Sequence, residues 1–525
     1  MKQIPQWAVF EEAFESDRAR GNPPAEAGVT VTFTAPSGRE RRVDAFWDGG
    51  RTWRMRFCPD ETGEWSWRSE CSDASDSGLE GKEGAFQCVP YEGENSLYQH
   101  GAVGVSADGR YFAHADGTPF FWLSDTAWSG SLRATPEDWS RHLSTRRQQD
   151  FTAIGFFSTH WRLKEMDALG EQAFSGADPI SINPGFYQRL DEKVALCNRH
   201  GLLAAPIIVL ALRDEDAGWA LSEPDLTVLV RYIVSRWNAY QLVWVLGGDG
   251  DFRGERSERW KRLGRAVFGE SHDRLVTMHP CGSNWSADEF WGEPWFDFAG
   301  YQSCHDDTTE AIRWHVLGPV GDAWKREPAK PIINLEPNYE DHPAYTSRIP
   351  FTDREVRRAV YWSLLMSPTA GVTYGNHNVW PWSSVAEAPD PTGAYGDAIG
   401  PWTKGLDTPG VRSMTAMRRF FDSGEWWRLR PAPDLLAAQP GCDEPRAFVV
   451  VAATEEGDWA VVYSPMGGRV KLDVGKLQRP LAARWFDPRG AEWRPAGPVA
   501  GSEGEYACPD ERDWVLDLRP EGSRR

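Results

Sequence analysis

The chain has no apolar run of about 18 residues, the length that a membrane-spanning helix needs, so the sequence offers no candidate span. Its first ten residues, MKQIPQWAVF, contain neither the apolar segment nor the small-residue cleavage site of a secretory signal. The eight cysteines never form a C-x-x-C pair, which argues against a zinc ribbon or a dithiol redox motif. These absences predict a cytoplasmic protein with reduced thiols.

Positive charge is also scarce. The chain has 57 Lys and Arg against 77 Asp and Glu, a formal net charge of −20. Nucleic acids and anionic membranes bind basic surfaces, so we expect neither of them as a partner. A polyanionic substrate is disfavoured for the same reason, although a local basic pocket could bind one in spite of the negative net charge.

The motifs of common cofactor and metal sites are missing as well. There is no H-E-x-x-H zinc motif, no phosphate-binding P-loop and no G-x-S-x-G around a nucleophilic serine. Cys281 and Cys304 lie near predicted strand ends, but no thiol-enzyme motif surrounds them, and the polar cluster at 305–307 is better explained as a turn. The sequence therefore predicts no metal and no cofactor.

The organisation of the chain changes twice. Residues 1–92 alternate with the period of β-strands and predict a small antiparallel sandwich, and residues 429–525 return to that pattern. Residues 93–428 alternate strand and helix. Eight candidate strands lie there, at 119–123, 152–157, 202–209, 241–246, 275–278, 298–301, 331–335 and 371–374. Helices are predicted at 135–149, 187–200, 224–239, 256–268 and 353–366.

Eight such units in this length indicate an α/β fold, a (β/α)8 TIM barrel flanked by two all-β domains. A doubly wound open sheet is the alternative. It is disfavoured because no G-x-G-x-x-G loop follows the first strand.

Two apolar runs end abruptly in a carboxylate. QLVWVLGGDGD, at 241–251, reaches Asp249, and KPIINLEPNYE, at 330–340, reaches Glu336. Carboxyl ends of barrel strands form the catalytic face, and two carboxylates there meet the need of glycosidic-bond hydrolysis for an acid and a nucleophile or base. A turn aspartate and a buried ion pair are the structural alternatives. Asp251 and Asp214 are nearby competitors.

Other polar and aromatic side chains follow the same strand ends and are candidate substrate contacts. Asp125, at the end of the first strand, could bind two sugar hydroxyls or cap the next helix. A single histidine on an apolar strand is usually structural, but several polar groups at one end of successive strands favour a site. The remaining candidates are His160, Trp161, His279, Gln302, His305, Tyr339, Glu340, Tyr374, Asn376 and Trp380.

The 28 tryptophans add modest support for a carbohydrate ligand, because an indole packs well against a sugar ring. Loop packing explains Trp380 and Trp382 equally well. The residues therefore predict a glycoside hydrolase acting on an oligosaccharide or small glycoside. A non-catalytic carbohydrate-binding protein, a transglycosylase and a sugar lyase remain the alternatives, and the oligomeric state is undetermined.

The chain resembles the apiosidase-like glycoside hydrolases, family 140. The resemblance rests on FFWLSDTAW at 120–128, VWVLGGD at 243–249 and PIINLEPNYE at 331–340. VFE at 9–11, NPP at 22–24 and RFCPDETGEW at 56–65 are similar to the β-sandwich that often precedes this barrel.

The resemblance implies a retaining (β/α)8 enzyme with Asp249 as acid/base on strand four and Glu336 as nucleophile on strand seven. It also implies exo action on a terminal apiose or another pentose or furanose-like sugar. Such enzymes act on pectin side chains. We do not expect that substrate here, because the chain is strongly acidic and lacks a recognisable export signal. Imported oligosaccharides or small glycosides are the expected substrates.

Overall fold

A computed structural model describes residues 1–160, 166–270, 272–389, 397–478, 481–498 and 503–520. Its centre is a mixed α/β domain with eight parallel strands in these ranges. We label them β1 (Trp122–Thr126), β2 (Ala153–Phe157), β3 (Leu203–Leu210), β4 (Trp244–Gly250), β5 (Val276–Pro280), β6 (Ala299–Gln302), β7 (Ile332–Glu336) and β8 (Gly371–Tyr374). Six of them form one parallel sheet in the order β5-β4-β3-β2-β1-β8, and β6 pairs with β7.

The break between β5 and β6 has a side-chain cause. The hydroxyl of Thr277, on β5, donates to the carbonyl of Phe298 at 2.7 Å and accepts from the backbone N–H of Gly300 at 3.1 Å. β5 and β6 therefore lie side by side. The Thr277 hydroxyl makes two of the hydrogen bonds that backbone groups would make in a regular ladder. β7 and β8 also lie next to each other.

The predicted strands match these eight in order, with one correction at the first. Pro119–Phe120 belongs instead to a three-stranded antiparallel sheet with Phe112–His114 and Val103–Val105. β1 begins at Trp122, which pairs with Gly371. The run PFFWL is apolar throughout, so its pattern could not reveal where the pairing partner changes.

Seven longer helices follow the strands within the described ranges. They are α1 (Pro136–Gln148), α2 (Pro184–Arg199), α3 (Glu223–Trp237), α4 (Glu255–Phe268), α5 (Thr309–Leu317), α6 (Asp353–Leu365) and α7 (Pro409–Asp422). Side-chain caps begin most of them: the Thr135 hydroxyl accepts from the N–H of Asp138, and Thr352 forms a capping box with Glu355. The five predicted helices are confirmed; α2 begins earlier than predicted because Asn183 caps it and Pro184 opens it.

Short helical segments connect other parts of the chain. The α-helical ones are Pro23–Glu26, Ser96–Gln99, Gly130–Arg133, Ala217–Ala220, Ala287–Phe290 and Val320–Ala323. The 3-10 segments are Trp402–Gly405, Trp426–Arg428, Pro433–Leu435, Pro440–Cys442, Pro445–Ala447 and Val474–Lys476. Phe174–Ser175 and Ser181–Ile182 form a small hairpin after β2.

The N-terminal region folds as two β-sheets around one aromatic-rich core. One sheet has the order Lys2–Pro5, Glu83–Val89, Gly63–Cys71, Val29–Thr34, Glu40–Asp44; the other has Phe10–Glu15, Thr52–Phe57, Phe46–Trp47. The predicted antiparallel arrangement is wrong at one edge, where Lys2–Pro5 runs parallel to Glu83–Val89.

The C-terminal region is also β, with a six-stranded and a two-stranded sheet. The larger runs Arg430–Pro431, Val450–Ala453, Ala460–Ser464, Trp514–Pro520, Leu481–Asp487, Glu492–Pro498, and the smaller pairs Arg469–Asp473 with Glu503–Ala507. One face of the larger sheet encloses a core of its own, and the other face joins the core of the central domain. There Tyr463 stacks on Tyr361 of α6 with centroids 4.6 Å apart. None of the helices in the described ranges is long and apolar enough to cross a membrane.

Candidate active site

Glu336 is the last residue of β7, whose five side chains are all buried. The ring Nε2 of His305 lies 2.7 Å from its Oε1, and Nε2 of His279 lies 3.3 Å from its Oε2. Burial by itself would raise the pKa of Glu336, but the two imidazoles beside the carboxylate outweigh it and hold the pKa well below its usual range. Glu336 is therefore ionised in spite of being buried.

The tautomer of His305 follows from its second nitrogen. Nδ1 accepts from the backbone N–H of Tyr339 at 3.4 Å, which leaves Nε2–H to donate to Glu336. His305 thus donates to Glu336 through Nε2. The ring of Tyr339 packs 4.4 Å from it, and the Tyr339 hydroxyl accepts from the indole N–H of Trp128 at 3.0 Å.

Asp249 lies near the end of β4 in the sequence Gly-Gly-Asp-Gly. Its φ is +57°, a left-handed conformation that aspartate adopts more readily than most residues. The strand continues through it to Gly250, with register shifts against β5. The preceding glycines serve close packing: a Cβ on Gly247 would lie 2.8 Å from Trp260, and one on Gly248 2.6 Å from Ile207.

Asp249 and Glu336 have opposite pKa shifts. Burial, followed by the charge of Glu336, raises the pKa of Asp249 to about 7. His279 stands between the two carboxylates, with Nδ1 3.9 Å from Asp249 and Nε2 3.3 Å from Glu336. One ligand atom from each of the three residues lies within 4.8 Å of the others. The site therefore pairs a carboxyl of raised pKa with one of lowered pKa, and an imidazole lies between them.

The same three groups could also hold a divalent cation, since carboxylate oxygens and imidazole nitrogens are common ligands. A thiol mechanism has less support. Burial raises the pKa of Cys281 and of Cys304 to about 11, so neither is an activated thiolate.

Two further candidates lie on the neighbouring strands. Gln302 ends β6 opposite Glu336 in the ladder, and its side chain is buried. His160 follows β2; burial lowers its pKa to about 4, and its ring packs 4.9 Å from Phe174. The predicted contact Trp161 lies outside the described residues.

The structure gives Asp125 a different environment from the predicted open rim. Its Oδ2 accepts from Arg146 Nε at 2.6 Å and lies 3.1 Å from His142 Nε2, and all three side chains are fully buried. Arg146 and His142 belong to α1. Successive strand residues face opposite sides, so Asp125 points at this helix and not towards Glu336.

Tyr374 and Glu340 also turn to the helix side. The Tyr374 hydroxyl donates to Glu340 Oε2 at 2.6 Å, and the backbone N–H of Gly410 donates to Glu340 Oε1 at 2.8 Å. Gly410 lies in the first turn of α7, where backbone N–H groups favour an anion. Glu340 therefore anchors a helix terminus, in contrast to the predicted sugar contact.

Asn376 and Trp380 are loop residues. The Asn376 carboxamide accepts from the N–H of Asn378 at 2.8 Å, and its amino group donates to Asp341 at 3.3 Å. Trp380 is 7 % exposed and packs near His377. Trp382 is buried and stacks on Trp402 at 4.6 Å, so it offers no open face to a sugar.

Sequence reasoning missed three residues of this region: His342, Tyr345 and His377. His342 stacks on His305 with centroids 4.5 Å apart and also packs against His377 at 4.9 Å. Tyr345 lies 5.7 Å from His305. All three lie in the loops that follow β7 and β8. Their position shortly after these strand ends is the sequence feature that could have identified them.

Three protein-family models match the chain. The sequence model of the apiosidase-like catalytic domain matches residues 106–428. A domain of unknown function, DUF5060, matches 3–72, and a putative collagen-binding domain of a collagenase matches 431–519. No curated protein sequence matches the chain.

Solved structures share the fold. A glycoside hydrolase is 21 % identical over 81 % of this chain and 98 % of its own, with a TM-score of 0.71. A putative glycoside hydrolase from Bacteroides vulgatus is 18 % identical over 99 % of this chain and 100 % of its own, with a TM-score of 0.72. A family 5 glycoside hydrolase from the same organism is 20 % identical over 81 % of this chain and 95 % of its own, with a TM-score of 0.71. The catalytic-domain match spans more than half of the sequence. The chain therefore belongs to the apiosidase-like family and has the character of a glycoside hydrolase.

Proposed function

We propose that the chain is a retaining glycoside hydrolase in which Asp249 is the acid/base and Glu336 the nucleophile. The observation that carries this proposal is the pair of opposite pKa shifts at the ends of β4 and β7. Hydrolysis with retention needs one carboxyl that holds a proton near neutral pH and one that is ionised.

In the first step Asp249 donates its proton to the glycosidic oxygen while Glu336 attacks the anomeric carbon. The glycosidic bond breaks, the leaving group departs as an alcohol, and a glycosyl ester forms on Glu336. In the second step the Asp249 carboxylate takes a proton from water. The resulting nucleophile attacks the anomeric carbon, frees Glu336 and restores the protonated Asp249.

The spacing of the two carboxylates supports retention. Retaining enzymes have carboxyl groups about 5–5.5 Å apart, whereas inverting ones leave about 6.5–9.5 Å for a water molecule. A carboxylate oxygen of Asp249 lies within 4.8 Å of one of Glu336. That separation is closer to the range of retaining enzymes than to that of inverting ones, and it suits direct attack by Glu336.

The two imidazoles have distinct parts in this scheme. His305 donates a hydrogen bond to Oε1 of Glu336, which favours the ionised form of the nucleophile and holds it in position. Burial alone would lower the pKa of His279, but Glu336 and Asp249 raise it above its usual value. His279 is thus placed to offset negative charge when both carboxylates are ionised.

For the substrate we infer exo action on a terminal apiose or another pentose or furanose-like sugar of an oligosaccharide or small glycoside, as in family 140. We further infer that the eight strands close into a (β/α)8 barrel, supported by the adjacency of β5 with β6 and of β7 with β8. The proposed domains are 1–92, 93–428 and 429–525, with the outer two as β-sandwiches that brace the barrel.

The test is hydrolysis of a panel of aryl pentosides and hexosides, furanosides included. We expect cleavage of one glycone by the wild type and a loss of at least about 10³-fold in kcat for Glu336→Gln. The matched control is Asp251→Asn, which changes a nearby carboxylate that is paired with Arg253 at 2.8 Å. It should retain activity within a few-fold.

The anomer of the first-formed sugar, followed by NMR, checks the stereochemistry. Retention is expected; inversion would remove Glu336 as nucleophile. Activity that survives Glu336→Gln would do the same. A protein that binds a sugar with equal affinity before and after Glu336→Gln, and cleaves none, would be a binding protein and not an enzyme.

A further inference from the structure

A chain of aromatic rings extends outwards from Glu336. His305, bonded to the carboxylate, packs against Tyr339 at 4.4 Å and against His342 at 4.5 Å. These three rings are at least nine-tenths buried. Tyr345 ends the chain, with its ring 5.7 Å from both His305 and His342, and it is 52 % exposed.

Exposure of this kind is rare in the molecule. Among the Phe, Tyr and Trp residues of the described ranges, only Tyr345 and Trp493 are more than a third exposed. Trp493 lies in the C-terminal region, where the guanidinium of Arg484 covers its ring at 4.2 Å. Among the described residues, Tyr345 is thus the exposed aromatic ring that packs against His305, the histidine bonded to Glu336.

The loop that carries Tyr345 is fixed by hydrogen bonds and an ion pair. The backbone N–H of Tyr345 donates to the carbonyl of His305 at 2.8 Å. Ala344 and Ile349 are joined by a backbone hydrogen bond of 3.0 Å, and Arg348 forms an ion pair with Asp397. The ring is therefore exposed on a fixed support, so little conformational entropy is lost when a ligand packs on it.

We propose that Tyr345 determines glycone binding, with its ring stacked on a C–H face of the sugar that Glu336 attacks. This inference rests on the proposed function and deepens it. The glycone becomes bonded to Glu336, and Tyr345 is one imidazole away from that residue. An aromatic ring with one open side suits the apolar face of a neutral sugar.

The phenol of Tyr345 stays uncharged. Burial around the hydroxyl, followed by the charges of Glu336 and Asp249, raises its pKa far above the usual value. The side chain therefore adds no negative charge to a site that already contains two carboxylates. Its hydroxyl remains able to donate a hydrogen bond, but stacking requires only the ring.

The test compares Tyr345→Ala and Tyr345→Phe on the glycone that the wild type cleaves, as its 4-nitrophenyl and methyl glycosides. Stacking is present in ground and transition states alike, so we expect Tyr345→Ala to raise KM about 10-fold with kcat nearly unchanged. Tyr345→Phe should stay within about twofold. The control Ile349→Ala removes another exposed apolar side chain of the loop and should have no effect.

Kinetics with the two leaving groups, together with inhibition by the free monosaccharide, distinguish a glycone contact from a contact with the leaving group. A glycone contact predicts the same loss for both glycosides and an equal rise in the inhibition constant of the released monosaccharide. A loss confined to the 4-nitrophenyl glycoside, unchanged kinetics in Tyr345→Ala, or a fall in kcat with constant KM would overturn the inference alone. A wild type that cleaves nothing in the panel would overturn the proposed function and this inference with it.

Discussion

At the scale of single residues, the site shows how surroundings separate two groups of similar chemistry. Asp249 and Glu336 are both carboxylates at strand ends. Glu336 accepts a hydrogen bond from His305 and lies beside the imidazole of His279, whereas burial and the charge of Glu336 act on Asp249. Hydrogen bonds to the ionised form lower a pKa, and burial with a like charge raises it. The environment therefore distinguishes acid from nucleophile.

This separation predicts the pH dependence. Asp249 must carry a proton to act as acid, and its pKa is about 7, so kcat/KM should fall as pH rises through about 7. Glu336 has a lowered pKa, so the plateau should extend well into the acid range. A pH profile of kcat/KM measures both limbs.

The control for the alkaline limb is Asp251→Asn, which should leave that limb in place. In Asp249→Asn the residual kcat/KM should no longer fall as pH rises through about 7. An alkaline limb that persists in Asp249→Asn would assign the titration to another group and contradict the role of Asp249.

At the scale of elements, alternation along a strand decides which side chains reach the site. Asp125 and Tyr374 are opposite each other in the β1–β8 ladder, and both face α1 and α7. Their polar groups complete ion pairs and hydrogen bonds between strands and helices. A polar residue at a strand end can therefore contact either the candidate site or a helix. The direction of its side chain decides which of the two it contacts.

Glu340 provides a test of this distinction. Glu340→Gln removes the negative charge at the first turn of α7 and weakens its bonds with Tyr374 and Gly410. We expect the free energy of unfolding to fall by about 1–3 kcal/mol. The value of kcat/KM per folded molecule should stay within a few-fold. Urea unfolding and active-site titration measure the two quantities.

The control is Glu355→Gln, in the exposed capping box of α6, where a loss of about 1 kcal/mol or less is expected. A large fall in kcat/KM for Glu340→Gln, in a protein of unchanged stability, would restore the predicted sugar contact.

At the scale of the whole molecule, ion pairs join the N-terminal β region to the central domain. Arg56 binds Asp191 of α2 at 2.7 Å, and Arg236 of α3 binds Asp48 and Asp191 at 2.8 and 2.7 Å. The four residues come from both regions and are largely buried. On the other side, Arg357 of α6 binds Asp513 at 2.8 Å.

Arg236→Met should therefore destabilise the protein by about 3–5 kcal/mol, because it leaves buried carboxylates with fewer partners. The pKa of Asp48 and of Asp191 is lowered: burial opposes the shift, and arginines outweigh it. A lowered acid pKa contributes stability above about pH 4 that is lost as pH falls. The difference between variant and wild type should accordingly shrink in acid.

Chemical unfolding at pH 7 and pH 3.5 measures this difference. Arg42→Met, at a side chain that is 65 % exposed, is the control and should change stability by no more than about 0.5 kcal/mol. Equal losses in the two variants would show that the ion pairs at this contact contribute nothing of their own.

Local pattern alone was enough to locate the eight parallel strands, the five predicted helices and the positions of Asp249 and Glu336. These features depend on neighbours in the sequence: apolar runs, caps and the residue at which a run ends. Tertiary structure decided the rest. It turned Asp125, Tyr374 and Glu340 towards helices. It also packed His342 and Tyr345 against His305, with His377 next to His342. It also supplied the ion pairs between regions. Side-chain direction and partners are set by strand register and by packing between distant segments, which the periodicity of one segment does not contain.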